Sequence, residues 1–181
     1  MTAHDASRRD FARQLAVVAL GSATLAGVPK RLLAARVAQH EGDIIHDEQS
    51  IHQVVNFKAA PLRVYGTLTD PREFLAIMKF STVPNAPLPE ISAREGAKFA
   101  LFGGHILGRN IELVPGARVV QAWRTSGWPT GLYSMVRMEL QAAGSGTTLT
   151  FDHTGFPKAD AEHLAAGWYL NYWTPMQKHF G

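Results

Sequence analysis

The last thirty residues of the chain constrain its fold more than any other stretch. Residues 151–180 read as a strand that ends in a Gly-Phe-Pro corner, followed by a long helix rich in aromatic side chains. A helix that is apolar on more than one side has to be enclosed by the rest of the fold. Pro175 removes one backbone donor and predicts a bend near Asn171. The two apolar stripes of the helix consist of Ala161, Leu164, Ala165, Trp168, Tyr172 and Met176, and of His163, Gly167, Leu170 and Trp173.

The segment before this helix predicts the surface that encloses it. Five strand-like stretches follow one another, and turn signals built on glycine and proline separate them. Strands with such short links are antiparallel neighbours. We therefore predict an α+β fold in which a curved antiparallel sheet of about six or seven strands wraps around the C-terminal helix. The five stretches are 98–102, 106–114, 118–124, 133–142 and 147–156.

The folded domain is predicted to span residues 50–181, with one further strand and two short helices at its start. Alternating apolar and polar side chains indicate the strand. Prolines suited to a first helical turn, and an aspartate suited to a cap, indicate the helices. These predicted elements are a strand over 51–57, helices over 62–68 and 73–78, and an extended proline-rich loop over 83–89.

Alternation along the strands assigns most of their side chains to one of two faces. On the strand 106–114, outward Asn110 and Glu112 leave Arg109 and Ile111 pointing inward. The inward set is apolar with three polar exceptions: Arg109, Gln121 and His153. The predicted inward residues are Arg109, Ile111, Leu113, Val119, Gln121, Trp123, Ser134, Val136, Met138, Leu140, Leu149, Phe151 and His153.

The three inward polar residues leave two interpretations open, because buried polar side chains are costly unless they are paired. One is a structural hydrogen-bond network inside the sheet, with Arg109 reaching the rim. The other is the polar floor of a largely apolar pocket that binds a small molecule. In the second interpretation the residues predicted to line the pocket are Arg109, Ile111, Gln121, Trp123, Met138, Phe151, His153, Trp168 and Tyr172.

Composition removes several classes of function. The chain has no cysteine, so it has neither a thiol nucleophile nor a cysteine zinc site. Six basic and two acidic residues precede residue 37, which leaves 12 basic and 13 acidic residues in the remainder. A near-neutral body gives no support to nucleic-acid binding. No phosphate loop, dinucleotide fingerprint, nucleophile elbow or HExxH pair is present, so we predict no cofactor and assign no catalytic residue.

The basic residues belong to a leader over residues 1–36. Arg8 and Arg9 are followed by Phe11 and by a mildly apolar run, an arrangement that resembles a twin-arginine export signal. The run is short for a transmembrane helix, which needs about 20 apolar residues. We expect export to the periplasm or the cell exterior, with or without cleavage; the alternative is a cytoplasmic protein with an N-terminal helix. Residues 37–49 read as a polar linker, and its His40, Asp43, His46 and Asp47 have a spacing that matches no metal site.

Several motifs of the chain are distinctive in combination: 60–70 (APLRVYGTLTD), 108–115 (GRNIELVP), 120–124 (VQAWR), 128–129 (WP), 152–157 (DHTGFP), Trp168 and 172–175 (YWTP). Together they resemble the SRPBCC (START-like) superfamily, and most of all its group related to the C-terminal domain of the heat-shock-protein-90 ATPase activator. The resemblance covers residues 50–180 and implies a helix-grip fold. It assigns no reaction, because this fold hosts lipid carriers, receptors, cyclases and chaperone cofactors.

Three functions remain open at this point. The favoured one is non-catalytic binding of a small hydrophobic molecule or lipid between the sheet and the C-terminal helix. The second is a chaperone-cofactor role with a protein partner, which the resemblance implies. The third is an enzyme of the cyclase or hydrolase type that uses His153 as a general base, although Asp152 beside it faces the other way and no partner is evident. Oligomeric state does not follow from the sequence.

Overall fold

A computed structural model of the chain describes residues 49–181. Along the chain, one strand is followed by two helices, then by five strands and a final helical segment. The strands are β1 (Gln49–Phe57), β2 (Lys98–Leu101), β3 (Ile106–Val114), β4 (Arg118–Thr125), β5 (Ser134–Ala143) and β6 (Gly146–Phe156). The helices are α1 (Pro61–Thr69), α2 (Pro71–Met78), α3 (Ala161–Trp168) and α4 (Thr174–Phe180), with a π turn (Tyr169–Trp173) between α3 and α4 and 3₁₀ turns at Phe102–Gly104 and Lys158–Asp160.

The strands form one antiparallel sheet in the order β1-β6-β5-β4-β3-β2. Strands β2 to β6 are a meander, so each pairs with its neighbour in sequence. Strand β1 pairs with the last strand instead, from Gln49 opposite Phe156 to Phe57 opposite Thr147. The predicted α+β architecture, with two short helices after the first strand, is confirmed.

The two short helices begin at the prolines that the sequence assigns to their first turns, one and two residues before the predicted ranges 62–68 and 73–78. Pro61 and Pro71 occupy the first turns of α1 and α2, where a missing N–H costs nothing. The Asp70 carboxylate accepts hydrogen bonds from the backbone N–H groups of Arg72 and Glu73 at 2.8 and 3.1 Å, and so caps α2. Their buried faces add Val64, Tyr65, Leu68, Phe74, Ile77 and Met78 to the core.

The C-terminal helix is irregular at the place that the sequence predicts. At the end of the π turn, the N–H of Thr174 donates to the carbonyl of Tyr169, five residues back. Pro175 has no N–H to give to the carbonyl of Asn171, so a regular α-helical ladder is interrupted there. The extra residue of the π turn lets Tyr172 and Trp173, which are adjacent in sequence, both be buried.

Burial confirms the predicted inward faces of β4, β5 and β6. On β3 the prediction is wrong for residues 109–111, while Leu113 packs against the core as predicted. Arg109 is exposed and Ile111 is 46% exposed, whereas Asn110 is buried. The strand contains a bulge between Asn110 and Glu112, which breaks the simple alternation. Asn110 tolerates burial because its amide donates to the Ser92 carbonyl at 2.8 Å and accepts from Gln121 at 3.0 Å.

The predictions made for the N-terminal residues cannot be compared with the described structure. The twin-arginine-type leader and the His40, Asp43, His46 and Asp47 set fall within residues 1–48, outside the described part of the chain. Among residues 49–181, no helix has the length and apolar character needed to cross a bilayer.

Candidate functional site

A cavity of about 300 Å³ lies between the C-terminal helix and one end of the sheet. Strands β3 and β4 and the turn that precedes β3 form one wall, and α3 with the π turn forms the other. Its lining residues are Val83, Phe102, His105, Ile106, Trp123, Thr125, His163, Leu164, Gly167, Trp168, Asn171 and Tyr172.

The cavity has a buried aromatic end and a more polar rim. Trp123, Trp168 and Tyr172 are almost fully buried, at 3%, 2% and 5% exposure. His105 and His163 are exposed, so imidazoles from the sheet side and the helix side stand at the rim. A molecule entering the cavity would therefore pass polar groups before it contacts the aromatic rings.

Aromatic packing fixes the buried end. The Trp168 ring lies 4.3 Å from that of Tyr172 and 4.4 Å from that of Phe151, centroid to centroid, and it stacks on Trp173 at 5.5 Å. The ring centroid of Trp123, which lies on the sheet, is 5.7 Å from that of Trp168. Such contacts are worth about 0.5–1.5 kcal/mol per pair beyond burial, so they stabilise this arrangement of the rings.

Phe102 reaches the cavity from a strained turn. Its backbone has φ +53°, in the left-handed region that a bulky residue rarely adopts. Its ring packs edge-on against Tyr172 at 5.6 Å and against Phe74 at 5.8 Å. The strain, about 1–3 kcal/mol for such a conformation, is held in place by this packing. Backbone strain of this kind is concentrated at binding sites.

The loop after α2 is fastened to the helix beside the rim. The Asn171 side-chain oxygen accepts from the Thr82 hydroxyl at 2.6 Å and from the Thr82 backbone N–H at 3.2 Å. Its amide nitrogen donates to the Gly167 carbonyl at 3.2 Å. Val83, the next residue of the loop, lines the cavity. Asn171 therefore joins the loop, the π turn and the rim.

Two buried polar groups of the lining lack hydrogen-bond partners among residues 49–181: the Trp123 indole N–H and the Tyr172 hydroxyl. The other three indoles all donate a hydrogen bond. Trp168 donates to His153 at 3.1 Å, Trp173 donates to Gln53 at 2.6 Å, and Trp128 donates to Asp160 at 2.6 Å. A buried polar group without a partner costs about 1–3 kcal/mol, so a pair of them in one cavity needs an explanation.

Tyr172 remains a hydrogen-bond donor over the whole physiological pH range. Burial raises the pKa of its hydroxyl well above the ordinary value, and the Trp123 indole offsets part of that rise. This effect makes the two groups neighbours, although no hydrogen bond of normal geometry joins them. The buried end of the cavity thus presents two adjacent polar groups that make no hydrogen bond of normal geometry.

His153 lies next to this end but is sealed within a chain of hydrogen bonds. The Trp168 indole donates to Nδ1 of His153 at 3.1 Å, which assigns the proton to Nε2. Nε2 then donates to the Ser134 hydroxyl at 2.7 Å, and Ser134 donates to the Trp123 carbonyl at 2.9 Å. Burial lowers the pKa of His153 to about 3, so the ring is neutral. The Ser134 hydroxyl accepts a hydrogen bond from His153 here, whereas a serine nucleophile would donate one to its base.

The structure brings together only part of the predicted lining. Of the nine residues proposed for a ligand pocket, Trp123, Trp168 and Tyr172 line this cavity. Gln121, Met138, Phe151 and His153 are buried but belong to the packed core beside it, where Gln121 and His153 form structural hydrogen bonds. Arg109 and Ile111 face outward because of the β3 bulge.

Several lining residues were not predicted from the sequence. Phe102 and His105 lie on the Phe-Gly-Gly-His turn, although we predicted Phe102 as the last residue of the strand 98–102 and interpreted the glycines after it only as a hairpin connection. Phe next to two glycines in a turn is itself unusual, and that signal could have identified the wall. Among residues 49–181, no group of three or more His, Asp or Glu side chains is arranged to hold a metal ion.

Comparison with known proteins identifies relatives for most of the described region. Residues 58–181 match the family model described as activator of Hsp90 ATPase homolog 1-like protein. An uncharacterized protein of Schizosaccharomyces pombe is 30% identical over 131 residues, which is 72% of this chain and 37% of that protein. The activator of 90 kDa heat shock protein ATPase homolog of Dictyostelium discoideum is 38% identical over 78 residues, 42% of this chain and 20% of that protein.

A solved structure has the same fold. The crystal structure of an HSP90 activator from Plasmodium falciparum matches with a TM-score of 0.59 at 22% identity, and the match covers 69% of this chain and 90% of that one. The chain spans well under half the length of the two curated relatives. Their similarity therefore concerns one segment of those proteins.

Proposed function

The chain belongs to the family of activator of Hsp90 ATPase homolog 1-like proteins, and from this membership we propose that it binds an ATPase of the 90 kDa heat shock protein class and stimulates ATP hydrolysis. The observation that carries the proposal is the family match over residues 58–181, which includes most of the described domain. The relative from Dictyostelium discoideum, named as an activator homolog, supports it. The role needs a binding surface and no catalytic residue of this chain's own.

Steady-state ATP hydrolysis tests this role directly. A purified ATPase of the 90 kDa heat shock protein class is assayed with increasing amounts of the full chain, and serum albumin at the same concentrations serves as the control. We expect a saturable increase in the hydrolysis rate, together with complex formation detected by calorimetry. Complex formation without a change in rate would reduce the role to binding, and the absence of both would contradict the proposal.

A second candidate, binding of a small apolar molecule, is favoured by the cavity itself. Its volume of about 300 Å³ is at the lower end of the range for small-molecule pockets, about 300–1,000 Å³. The lining is mostly aromatic and aliphatic, with polar groups at the rim and at the buried end. This combination is the usual character of a small-molecule site.

Filling the cavity tests this candidate. Gly167 lines the cavity, and a Cβ atom added there would have no atom within 4 Å outside its own stretch of helix. Gly167→Leu should therefore occupy the space without removing a hydrogen bond. Gly66→Leu is the matched control, because Gly66 is also helical and also faces open space, but lies outside the lining. We expect small apolar compounds to raise the melting temperature of the native chain and of Gly66→Leu, and not that of Gly167→Leu. Equal shifts in all three proteins would exclude the cavity as the site.

The leader carries a separate proposal, that residues 1–36 direct export through a twin-arginine pathway. Arg8, Arg9 and Phe11 with the apolar run behind them support it. Residues 1–40 fused to a folded reporter should deliver it across the membrane, and Arg8→Lys with Arg9→Lys should abolish delivery. Export would separate the chain from ATP-driven cytoplasmic partners and favour the small-molecule candidate. Retention of the reporter inside the cell would contradict the proposal and favour the chaperone-cofactor role.

A further inference from the structure

We propose that the cavity takes a neutral, mostly apolar molecule that carries a carbonyl oxygen, and that this oxygen accepts hydrogen bonds from the Trp123 indole and the Tyr172 hydroxyl. The inference rests on the small-molecule candidate of the preceding section and specifies the chemistry of what it binds. Its basis is a pair of neighbouring polar groups at one end of the cavity that make no hydrogen bond of normal geometry, whereas the other three indoles of the described domain each donate to an acceptor.

The rest of the aromatic core shows that this mismatch is specific. Trp128, Trp168 and Trp173 each donate to an acceptor within the described domain, and His153 uses both ring nitrogens. Trp123 is buried like these groups, yet among residues 49–181 its indole N–H makes no hydrogen bond of normal geometry, and the polar group beside it is the Tyr172 hydroxyl. Since buried donors are normally paired, an acceptor supplied by a bound molecule resolves the exception.

A carbonyl oxygen matches two adjacent donors better than other acceptors do. It has two lone pairs, so one oxygen can accept from both the indole and the phenol. A ligand hydroxyl would bring a further proton, which in turn needs an acceptor. Tyr172 stays protonated because burial raises the pKa of its hydroxyl, so both donors remain available.

The charge of the lining selects a neutral molecule. Among the described residues that line the cavity there is no lysine or arginine. A carboxylate placed against Trp123 and Tyr172 would be a buried charge without a counter-ion, which is strongly unfavourable. The remaining contacts of the molecule would be with Phe102, Leu164 and Trp168, which favour an apolar and partly planar body.

Three probes of one shape test the proposal with the full chain. They are 2-acetylnaphthalene, a neutral ketone; 2-isopropenylnaphthalene, in which CH₂ replaces the carbonyl oxygen; and 2-naphthoate, a carboxylate. Affinities are measured by calorimetry, and the four indole N–H resonances are followed by NMR, with Trp123→Phe identifying its own signal. We expect the ketone to bind about three- to tenfold more tightly than the alkene, the net effect of one or two hydrogen bonds. The ketone should also move the Trp123 resonance downfield, and the carboxylate should bind most weakly.

Tyr172→Phe provides a second test that does not depend on the fold of the Trp123 variant. It removes the unpaired hydroxyl and keeps the ring that packs on Phe102 and Trp168. The melting temperature of the free protein should be unchanged or raised, while the preference for the ketone over the alkene falls towards one. Tyr133→Phe, the same change on an exposed tyrosine outside the lining, should alter neither quantity.

The outcomes separate this inference from the small-molecule candidate on which it depends. Equal affinities for ketone and alkene, with an unmoved Trp123 resonance, would overturn the carbonyl assignment and leave cavity binding supported. Tightest binding of the carboxylate would overturn the requirement for a neutral molecule. If none of the three probes binds, the carbonyl assignment falls together with the small-molecule candidate. A lowered melting temperature of Tyr172→Phe would show that its hydroxyl has a structural partner, and would also contradict the proposal.

Discussion

His153 and the residues around it show how a polar side chain is kept inside an aromatic core. Each ring nitrogen has one partner, the indole of Trp168 on the helix and the hydroxyl of Ser134 on β5. Asp152, its neighbour in sequence, faces the other surface of the sheet and bonds His52 at 2.7 Å. The imidazole therefore connects the helix to the sheet, and with its low pKa it is unsuited to accept a proton from a substrate.

This arrangement makes stability depend on pH in a defined direction. Burial lowers the pKa of His153 from 6.5 to about 3, so the unfolded chain takes up a proton below about pH 6.5 that the folded chain does not. The contribution of His153 to stability is therefore complete above pH 6.5 and is lost as the pH falls towards 3, by about 1.4 kcal/mol per pH unit. Urea denaturation at pH 7.5, 6.0 and 4.5 measures this loss.

The variant His153→Gln isolates that contribution. Its amide retains one donor and one acceptor for Ser134 and Trp168, but it does not titrate. We expect a less stable protein at pH 7.5, with a pH slope reduced by about one proton between pH 6.5 and 4.5. A slope equal to that of the native chain would show that other groups are responsible for the acid sensitivity.

Gln53 on β1 has a similar joining role on the other side of the helix. Its amide nitrogen donates to the Ala165 carbonyl at 3.1 Å, and its oxygen accepts from the Trp173 indole at 2.6 Å. Gln53→Leu has a similar size but leaves the buried Trp173 indole without its acceptor, so we expect a loss of about 1–3 kcal/mol in the free energy of unfolding. Val54→Leu, at the exposed neighbouring position, should change it by less than about 0.5 kcal/mol. Equal effects of the two substitutions would contradict the role assigned to Gln53.

At the scale of elements, the sequence predicts strands well wherever polarity alternates without interruption. Strands β4, β5 and β6 meet this condition, and their inward faces are as predicted. Strand β3 does not meet it, because a bulge interrupts its alternation. No glycine or proline at Asn110 or Ile111 marks this bulge in the sequence. Asn110 also faces inward for its hydrogen bonds to the 92–97 loop, a partner that is distant in sequence and cannot be inferred from periodicity.

The candidate site was predictable where it depends on large side chains of regular elements. Trp123, Trp168 and Tyr172 were assigned to it because their strand or helix positions define their direction. Phe102 was missed because it lies in a turn, where the direction of a side chain depends on backbone angles such as its φ of +53°. The partner of His153 was missed because finding Ser134 requires the relative register of β5 and β6, which the sequence does not specify in advance.

The contact between β2, β3 and β4 depends on the absence of a side chain at Gly108. A methyl group there would lie 2.3 Å from the backbone oxygen of Ala122 and 2.2 Å from the Phe99 ring. We expect Gly108→Ala to lower the free energy of unfolding by about 1–3 kcal/mol through overpacking. Gly66 lies within α1, and a Cβ atom added there faces open space, so Gly66→Ala should instead raise the free energy of unfolding by about 0.5–1 kcal/mol. Thermal melts of both variants distinguish crowding from a general effect of replacing glycine.

At the scale of the whole molecule, the sheet is assembled from contacts of very different range. Strands β5 and β6 are joined by a short turn, with Ala143 opposite Gly146. Strand β1 pairs with β6 across about 100 residues, since Ile51 lies opposite His153. Closing so long a loop costs more conformational entropy than forming the hairpin does, so the hairpin should form first. The short helices and the C-terminal helix can then complete the core with β1.

Two matched substitutions test this order. Val136 on β5 and Val55 on β1 are both buried, and truncation of either to alanine should cost about 2 kcal/mol. If the hairpin of β5 and β6 is formed in the transition state and β1 is not, Val136→Ala should mainly slow folding, whereas Val55→Ala should mainly accelerate unfolding. Stopped-flow measurements over a range of urea concentrations separate the two rates. Slower folding of Val55→Ala with an unchanged unfolding rate would mean that β1 docks early. The long-range closure of the sheet would then limit how fast the cavity can be built.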